Sequence, residues 1–452
     1  MLGLDGLNMG QLEALNPPSY RRLVAEGVRC SDSFASVPLC APARGAVLTG
    51  LDPHVSGQIE NHFILHPAIR TQVHRFQDAG WTTALIGKQH SNTEELDGAY
   101  GYNSVLSRSS AGFKELVESY VDPSAPATWA SPHQAEFDAI EAITGVRFAG
   151  KVRHHSKDPD WTLVREAIAT IESFAAGDAP FLVNLQLLGP HHPYDMPEQF
   201  YFLHAPNEII LGSREGWAES GAGRREMARH RWEELTDLDF QRIIALQYGY
   251  VEYVDWLIGH VLDALEALGI LDDTLVVLMS DHGEMAGQKG LMLKKSLHDD
   301  AARIGFVLRH PPSLSPGTYD GLVGGIDQMA TIGGLCGLPP DTDIQGMDLS
   351  ESIRDGEGGR DSLFSWANFI VRDGLPLATG RCLRTANHKF CDFLPAYYPS
   401  GQTAQLFERE DRHEQTNLAD LPRFADVKAS MEAALAQEIL AMPPPTLLEQ
   451  KG

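Results

Sequence analysis

Apolar residues along this chain fall into two alternating textures. Dense runs of strand length occur at Trp81–Ile86, Phe181–Leu188, Leu275–Met279 and Ile304–Leu308, and Val28–Phe34 reads as a further short strand. Between them, apolar positions recur every three or four residues. That spacing predicts helices over Ser19–Glu26, over Ala43–Thr49, through Ile69, Val73 and Phe76, and through Val164, Ile168, Ile171 and Ala175 with Asp160 as the cap. Gly27, Gly50, Gly80 and Gly177 stand where these helices should stop. A longer stripe of Ile243, Leu246, Tyr250, Val254, Ile258, Val261 and Leu265 predicts one helix across Thr236–Leu268, interrupted or bent at Gly249 and Gly259. Phe181–Leu188 is almost continuously apolar, as in a strand buried on both faces of a parallel sheet. Strands alternating with helices predict an α/β fold with a central, mostly parallel sheet flanked by helices.

The texture changes twice. From about Asn92 to Asp158 few clean periods survive, which suggests an insertion shaping a substrate pocket. The adjacent His154 and His155 would point apart on a strand and fit a surface loop better than a metal site. Around Asp355–Gly359 the chain turns charged and glycine-rich. The expected division is therefore a larger domain over 1–355 and a small C-terminal α+β subdomain over 356–452. Strand-like pieces, including Arg384–Phe393, precede a predicted helix over Phe424–Met442, closed by Pro443–Pro445.

Charge narrows the choice of partner. Among 452 residues, 61 are acidic and 36 basic, a formal net charge of -25, which argues against nucleic acid and against a general polyanion-binding surface. An anionic substrate must then be drawn by a local basic pocket. The five cysteines, Cys30, Cys40, Cys336, Cys382 and Cys391, contain no close pair of the zinc-ribbon kind. No apolar run reaches the length of a membrane span. Met1–Gly10 lacks the basic start and apolar core of a signal peptide, so localisation is left open.

Three polar clusters close predicted strands: Lys88 and His90, then His191 within Pro190-His191-His192-Pro193-Tyr194, then Asp281-His282. Ligands of open parallel sheets bind outside the carboxyl ends of the strands, so these clusters should meet at one edge. Cys40 should lie just before a helix N-terminus, with Pro42 in the first turn and Arg44 one turn in, an arrangement suited to an anion. Each element also has a plainer interpretation. Cys40 could be an inert core cysteine, Lys88 and His90 solvated loop residues, His191 a turn histidine, and Asp281-His282 a capping pair.

Cys40-Ala41-Pro42-Ala43-Arg44, followed by Leu48-Thr49-Gly50, resembles the signature of the type I sulfatases. Gly87-Lys88-Gln89-His90, Pro190-His191-His192-Pro193-Tyr194 and Ser280-Asp281-His282-Gly283-Glu284 resemble further family motifs, in the family's order. Gly287, Gly290, Lys294 and Arg303 continue the last of them at its spacing. Ala43 stands where the family usually has serine, and Gln89 where it has tryptophan. The resemblance spans about Ser19 to Leu418. It implies an alkaline-phosphatase-like α/β sandwich and oxidation of Cys40 to formylglycine by a formylglycine-generating enzyme. It also implies a divalent cation, Ca²⁺ first with Mg²⁺ or Mn²⁺ as alternatives, held by Asp281, His282 and residue 40. By the same resemblance Arg44, Lys88 and Lys294 would neutralise the sulfate oxygens, His191 would bind substrate and protonate the leaving alcohol, and His90 would serve as base.

The family also implies a first strand ending in two adjacent aspartates, both metal ligands. Asp5 follows no apolar run and is not read as a ligand, so that strand is expected to be missing and catalysis by the chain as given to be impaired. The expected activity is hydrolysis of a small-molecule or saccharide sulfate ester. The alternatives are a phosphonate monoester or phosphodiester hydrolase of the same superfamily, or a non-catalytic remnant.

Overall fold

A computed structural model describes residues 1–88, 100–107, 111–120, 128–130, 133–213, 230–372, 375–393 and 404–445. His90 and part of the expected 92–158 insertion lie outside them.

Among the described residues the strands are β1 (Leu2–Leu4), β2 (Val28–Phe34), β3 (Thr82–Gly87), β4 (Ser104–Ser107), β5 (Trp129–Ala130), β6 (Ala149–Arg153), β7 (Phe181–Gln186), β8 (Tyr194–Pro197), β9 (Val276–Ser280), β10 (Phe306–Arg309), β11 (Gly317–Gly324), β12 (Ser362–Arg372), β13 (Leu375–Thr385), β14 (His388–Phe393) and β15 (Ala404–Glu408). Eight of them form the central sheet in the order β11-β2-β10-β9-β1-β7-β3-β4. Its neighbours run parallel except β10, which is antiparallel to both β2 and β9. β5, β6 and β8 make a small separate sheet, and β12 to β15 an antiparallel one.

Side chains alternate across a strand, so each central strand feeds two cores. Val276 and Leu278 pack into the layer with the helices Pro159–Ala175 and Asp237–Ala267; Val277 and Met279 pack into the other, with the helices Gln72–Asp78 and Gly325–Leu335. The long helix Asp237–Ala267 buries the whole predicted stripe and runs through both glycines. At Gly249 a Cβ would lie 2.2 Å from the backbone oxygen of Phe200, so glycine there serves close packing of a neighbouring segment. Thr236 and Asp239 close the helix's N-terminus with a capping box.

Two expectations change. The strand taken to be missing is present as β1, hydrogen-bonded between β7 and β9 at the middle of the sheet. Three residues are too short to show a period in sequence; the flanking strands define them. The cap of the helix Pro159–Ala175 is Asp158, whose carboxylate accepts from the N–H groups of Asp160 and Trp161. Asp160 instead accepts from Leu188 N at 2.8 Å and Gly189 N at 2.9 Å. It thereby anchors the turn leading to His191.

The C-terminal sheet, with the helix Ala425–Ala441, is fastened through buried ions. Arg384 and Lys389 bond the Leu297 carbonyl and the Asp299 carboxylate, and Lys389 also meets Glu414. Buried opposite charges in such a cluster satisfy one another where water cannot. These contacts hold the segment just after Lys294.

Candidate active site

Asp5 directly follows β1, Lys88 follows β3, His191 follows β7 and Asp281 follows β9. These strands are parallel neighbours in the sheet, so their carboxyl ends bring the four side chains together. Cys40 is the first residue of the helix Cys40–Thr49, with Leu39 as cap, and the helix ends at Gly50 in the left-handed region (φ 70°). Helix dipole and free N–H groups at that end favour negative charge on residue 40.

Asp5, Cys40, Asp281 and His282 are all buried, and their potential ligand atoms lie within 4.8 Å of one another. Two ligands of one ion at about 2.4 Å can be no farther apart than twice that distance, so the spacing fits a single cation. The donors have the right chemistry. His282 Nδ1 lies 2.8 Å from the Gly283 carbonyl and donates to it, which leaves the lone pair of Nε2 facing Cys40 Sγ at 3.1 Å. The Sγ atom stands where the hydrate oxygens of formylglycine would be. Asp5, set aside in the sequence as an isolated acid, thus belongs to the cluster. The next residue is Gly6 rather than a second aspartate, and it gives its N–H to Asp281 Oδ1 at 3.1 Å. Leu2-Gly3-Leu4 before Asp5 is too short to register as an apolar run, so the sequence held no clear signal for it.

Cations surround these acids. Lys294 Nζ lies 2.9 Å from Cys40 Sγ and 2.7 Å from His191 Nε2. Leu293 and Lys295 on either side have positive φ (69° and 64°), a local winding that aims Lys294 inward. Lys88 Nζ pairs with Asp5 and lies 4.0 Å from Cys40 Sγ. Arg44 donates to Asp281 Oδ2 at 3.0 Å, Asp5 Oδ2 at 3.2 Å, Gln186 Oε1 at 2.7 Å and the Lys88 carbonyl at 2.9 Å. His191 Nε2 is 4.0 Å from Asp5 Oδ1, and its Nδ1 donates to the His192 carbonyl.

Titration follows this charge pattern. Burial pushes the Cys40 thiol up, but the ammonium groups of Lys294 and Lys88 outweigh it, and the group sits well below an ordinary thiol. Burial and Cys40 raise Asp5, while Lys88, His191 and Arg44 pull harder and hold it below the usual carboxylate range. Burial depresses Lys294, yet Cys40 and Asp5 raise it overall. By contrast burial alone drives Cys30 up.

The Sulfatase family model matches residues 3–338, and the chain belongs to that family of hydrolases. Choline-sulfatase from Rhizobium meliloti is 24% identical over 446 residues, covering 94% of this chain and 81% of the relative. An ulvan-active sulfatase from Formosa agariphila is 25% identical over 432 residues, covering 93% and 76%. Among solved structures, a phosphonate monoester hydrolase from Silicibacter pomeroyi superposes with a TM-score of 0.80 at 20% identity, over 99% of this chain and 96% of that one. A structure described as bound to its substrate D-glucosamine-2-N,6-O-disulfate gives 0.71 at 17%, over 97% and 96%. These superpositions establish the alkaline-phosphatase-like fold.

Proposed function

We propose that the protein hydrolyses sulfate esters, using residue 40 after its conversion to formylglycine and a divalent cation held by Asp5, Asp281, His282 and residue 40. The observation that carries this is the buried four-donor cluster ringed by Lys88, Lys294 and His191. The hydrated aldehyde supplies an oxygen nucleophile and lets sulfate leave by return to the aldehyde. The cation supplies Lewis-acid stabilisation of oxygen charge. With residue 40 converted, the donors are mainly oxygen, in keeping with Ca²⁺, Mg²⁺ or Mn²⁺.

The chain's own groups do the rest. Lys294 and Lys88 place positive charge beside residue 40, where an ester's non-bridging oxygens must come. His191 reaches the same point and delivers a proton from Nε2 to the departing alcohol oxygen. Arg44 spends its N–H groups on Asp5, Asp281, Gln186 and the Lys88 carbonyl, so its part is to hold the carboxylates rather than to touch the ester. A base role for His90 remains a proposal from the family motif.

Hydrolysis of a phosphonate monoester or phosphodiester is the second reading, favoured by Gly6. With one carboxylate fewer than the family pattern, three site cations face Asp5 and Asp281. Phosphorus esters of this kind concentrate their negative charge on two non-bridging oxygens rather than three, and gain more from that surplus.

The test is expression with a formylglycine-generating enzyme, mass spectrometry of the peptide bearing Cys40, and turnover of an aryl sulfate beside an aryl phosphonate. Aldehyde at position 40 and metal-dependent aryl sulfate cleavage, abolished by Cys40→Ala, are expected. Preferred cleavage of the phosphonate would install the second reading. An aldehyde-bearing, metal-loaded protein that cleaves neither would overturn both.

A further inference from the structure

Two polar side chains sit inside an otherwise apolar strand. Asn184 and Gln186 share one face of β7, and Asn184 is only 4% exposed. Buried amides persist where they are hydrogen-bonded, so their partners show what they are for.

The donor directions along this relay are fixed from one end. Arg44 can only donate, so the Gln186 atom facing it at 2.7 Å must be the carbonyl oxygen. The Gln186 amide nitrogen then donates to Asn184 Oδ1 at 2.6 Å, and Asn184 Nδ2 donates to the Tyr102 hydroxyl at 2.7 Å. The backbone takes part as well: the Gln186 carbonyl accepts from Lys88 N at 2.9 Å. Gln186 therefore bonds the Arg44 guanidinium through its side chain and the backbone of Lys88 through its own backbone. Space for its amide comes from β1. A Cβ on Gly3 would fall 2.2 Å from Gln186 Oε1 and 2.3 Å from Nε2, so glycine at position 3 leaves room for the carboxamide.

We propose that Gln186, oriented by Asn184 and Tyr102, is a positioning residue that fixes the Arg44 guanidinium so that Arg44 holds Asp5 and Asp281 in cation-binding geometry. Without an acceptor at position 186, the Arg44 nitrogen that bonds it keeps only the Lys88 carbonyl, and the guanidinium that holds the two carboxylates is fixed by three hydrogen bonds instead of four, so its plane is less firmly set. This inference rests on the cation-binding half of the function proposed above and not on the nature of the ester.

The experiment uses the full chain, matured and stripped with chelator, and titrates Mn²⁺ calorimetrically. Gln186→Met keeps length and bulk but offers no acceptor; it should weaken Mn²⁺ binding about tenfold, the scale of one hydrogen bond to a charged group. Gln186→Glu restores an acceptor for Arg44 and should return affinity to within about threefold of wild type. A residue that merely fills the space over Gly3 would be replaced by Met without loss. Wild-type affinity in Gln186→Met, or equal weakening in Met and Glu variants, overturns the proposal. If Gln186→Met does not fold, Tyr102→Phe is measured instead. It breaks the far end of the relay and should weaken binding about threefold; unchanged affinity would overturn the relay. Aryl sulfate turnover is followed in parallel. Lost turnover with the Mn²⁺ series as expected refutes the hydrolase reading alone, whereas a wild type that takes up no Mn²⁺ overturns this inference.

Discussion

Replacing Asp5 by Asn tests whether the end of β1 belongs to a charged centre or to a loop. The substitution keeps size and one acceptor oxygen but removes a charge that is fully buried. Its partners are Arg44 at 3.2 Å, itself nearly buried, and Lys88. At an effective dielectric of about 20, one such pair at that distance is worth about 5 kcal/mol of Coulomb attraction, before the recovered desolvation of the carboxylate. Truncating one partner of a buried ion pair typically costs about 3–5 kcal/mol, because the cations remain. At about 2.1 cal/mol/K per residue, a cooperative unit of 452 residues has an unfolding entropy of about 0.9 kcal/mol/K. Asp5→Asn should therefore lower the melting temperature by about 3–5 °C in excess chelator, where no metal contributes. The folded pKa of Asp5 lies below its unfolded value, so its stabilisation is present above about pH 4 and is lost as pH falls toward the folded pKa. The deficit should be full at pH 7 and shrink in acid. A melting temperature within about 1 °C of wild type at pH 7 in chelator would refute the placement, since a loop aspartate would give the small effect of an ordinary surface substitution.

Other outcomes follow from the same geometry. In protein expressed without the maturing enzyme, Cys40, as buried as Cys30, should nonetheless be alkylated by iodoacetamide faster than Cys30 near pH 7, read by peptide mass spectrometry; equal rates would contradict the opposed pKa directions. Burial, with Asp160 beside it, pushes Asp158 up to about 7, so the folded state loses stability as pH rises from about 4 through 7. Asp158→Asn keeps the acceptor oxygen and should gain on wild type by about 3 kcal/mol between pH 5 and pH 8.5, seen as diverging thermal midpoints. Gly249→Ala should destabilise by about 1–3 kcal/mol in denaturant unfolding, because its methyl would meet the Phe200 backbone oxygen rather than a movable side chain. A silent Gly249→Ala would show that the neighbouring segment yields.

By itself the sequence determined the α/β alternation, the long core helix and the strands that end in Lys88, His191 and Asp281. Each rests on local physics. Periodicity is visible over several turns or a run of buried strand residues, and chemistry placed just after a strand must emerge at the sheet edge. The order of clusters along the chain was legible for the same reason, with Cys40 beside a helix N-terminus; the structure starts that helix at Cys40 itself. What the tertiary structure alone decided involves residues whose meaning comes from distant neighbours. β1 is a strand because β7 and β9 bond it on both sides, and that pairing brings Asp5 to the cluster. Asp158 rather than Asp160 caps its helix, because Asp160 bonds the turn after β7. Arg44 faces the two carboxylates instead of an open pocket, held there by Gln186 across 142 positions of sequence. Contacts at such separation leave no local period or propensity to read. They exist once the sheet has set its strand order.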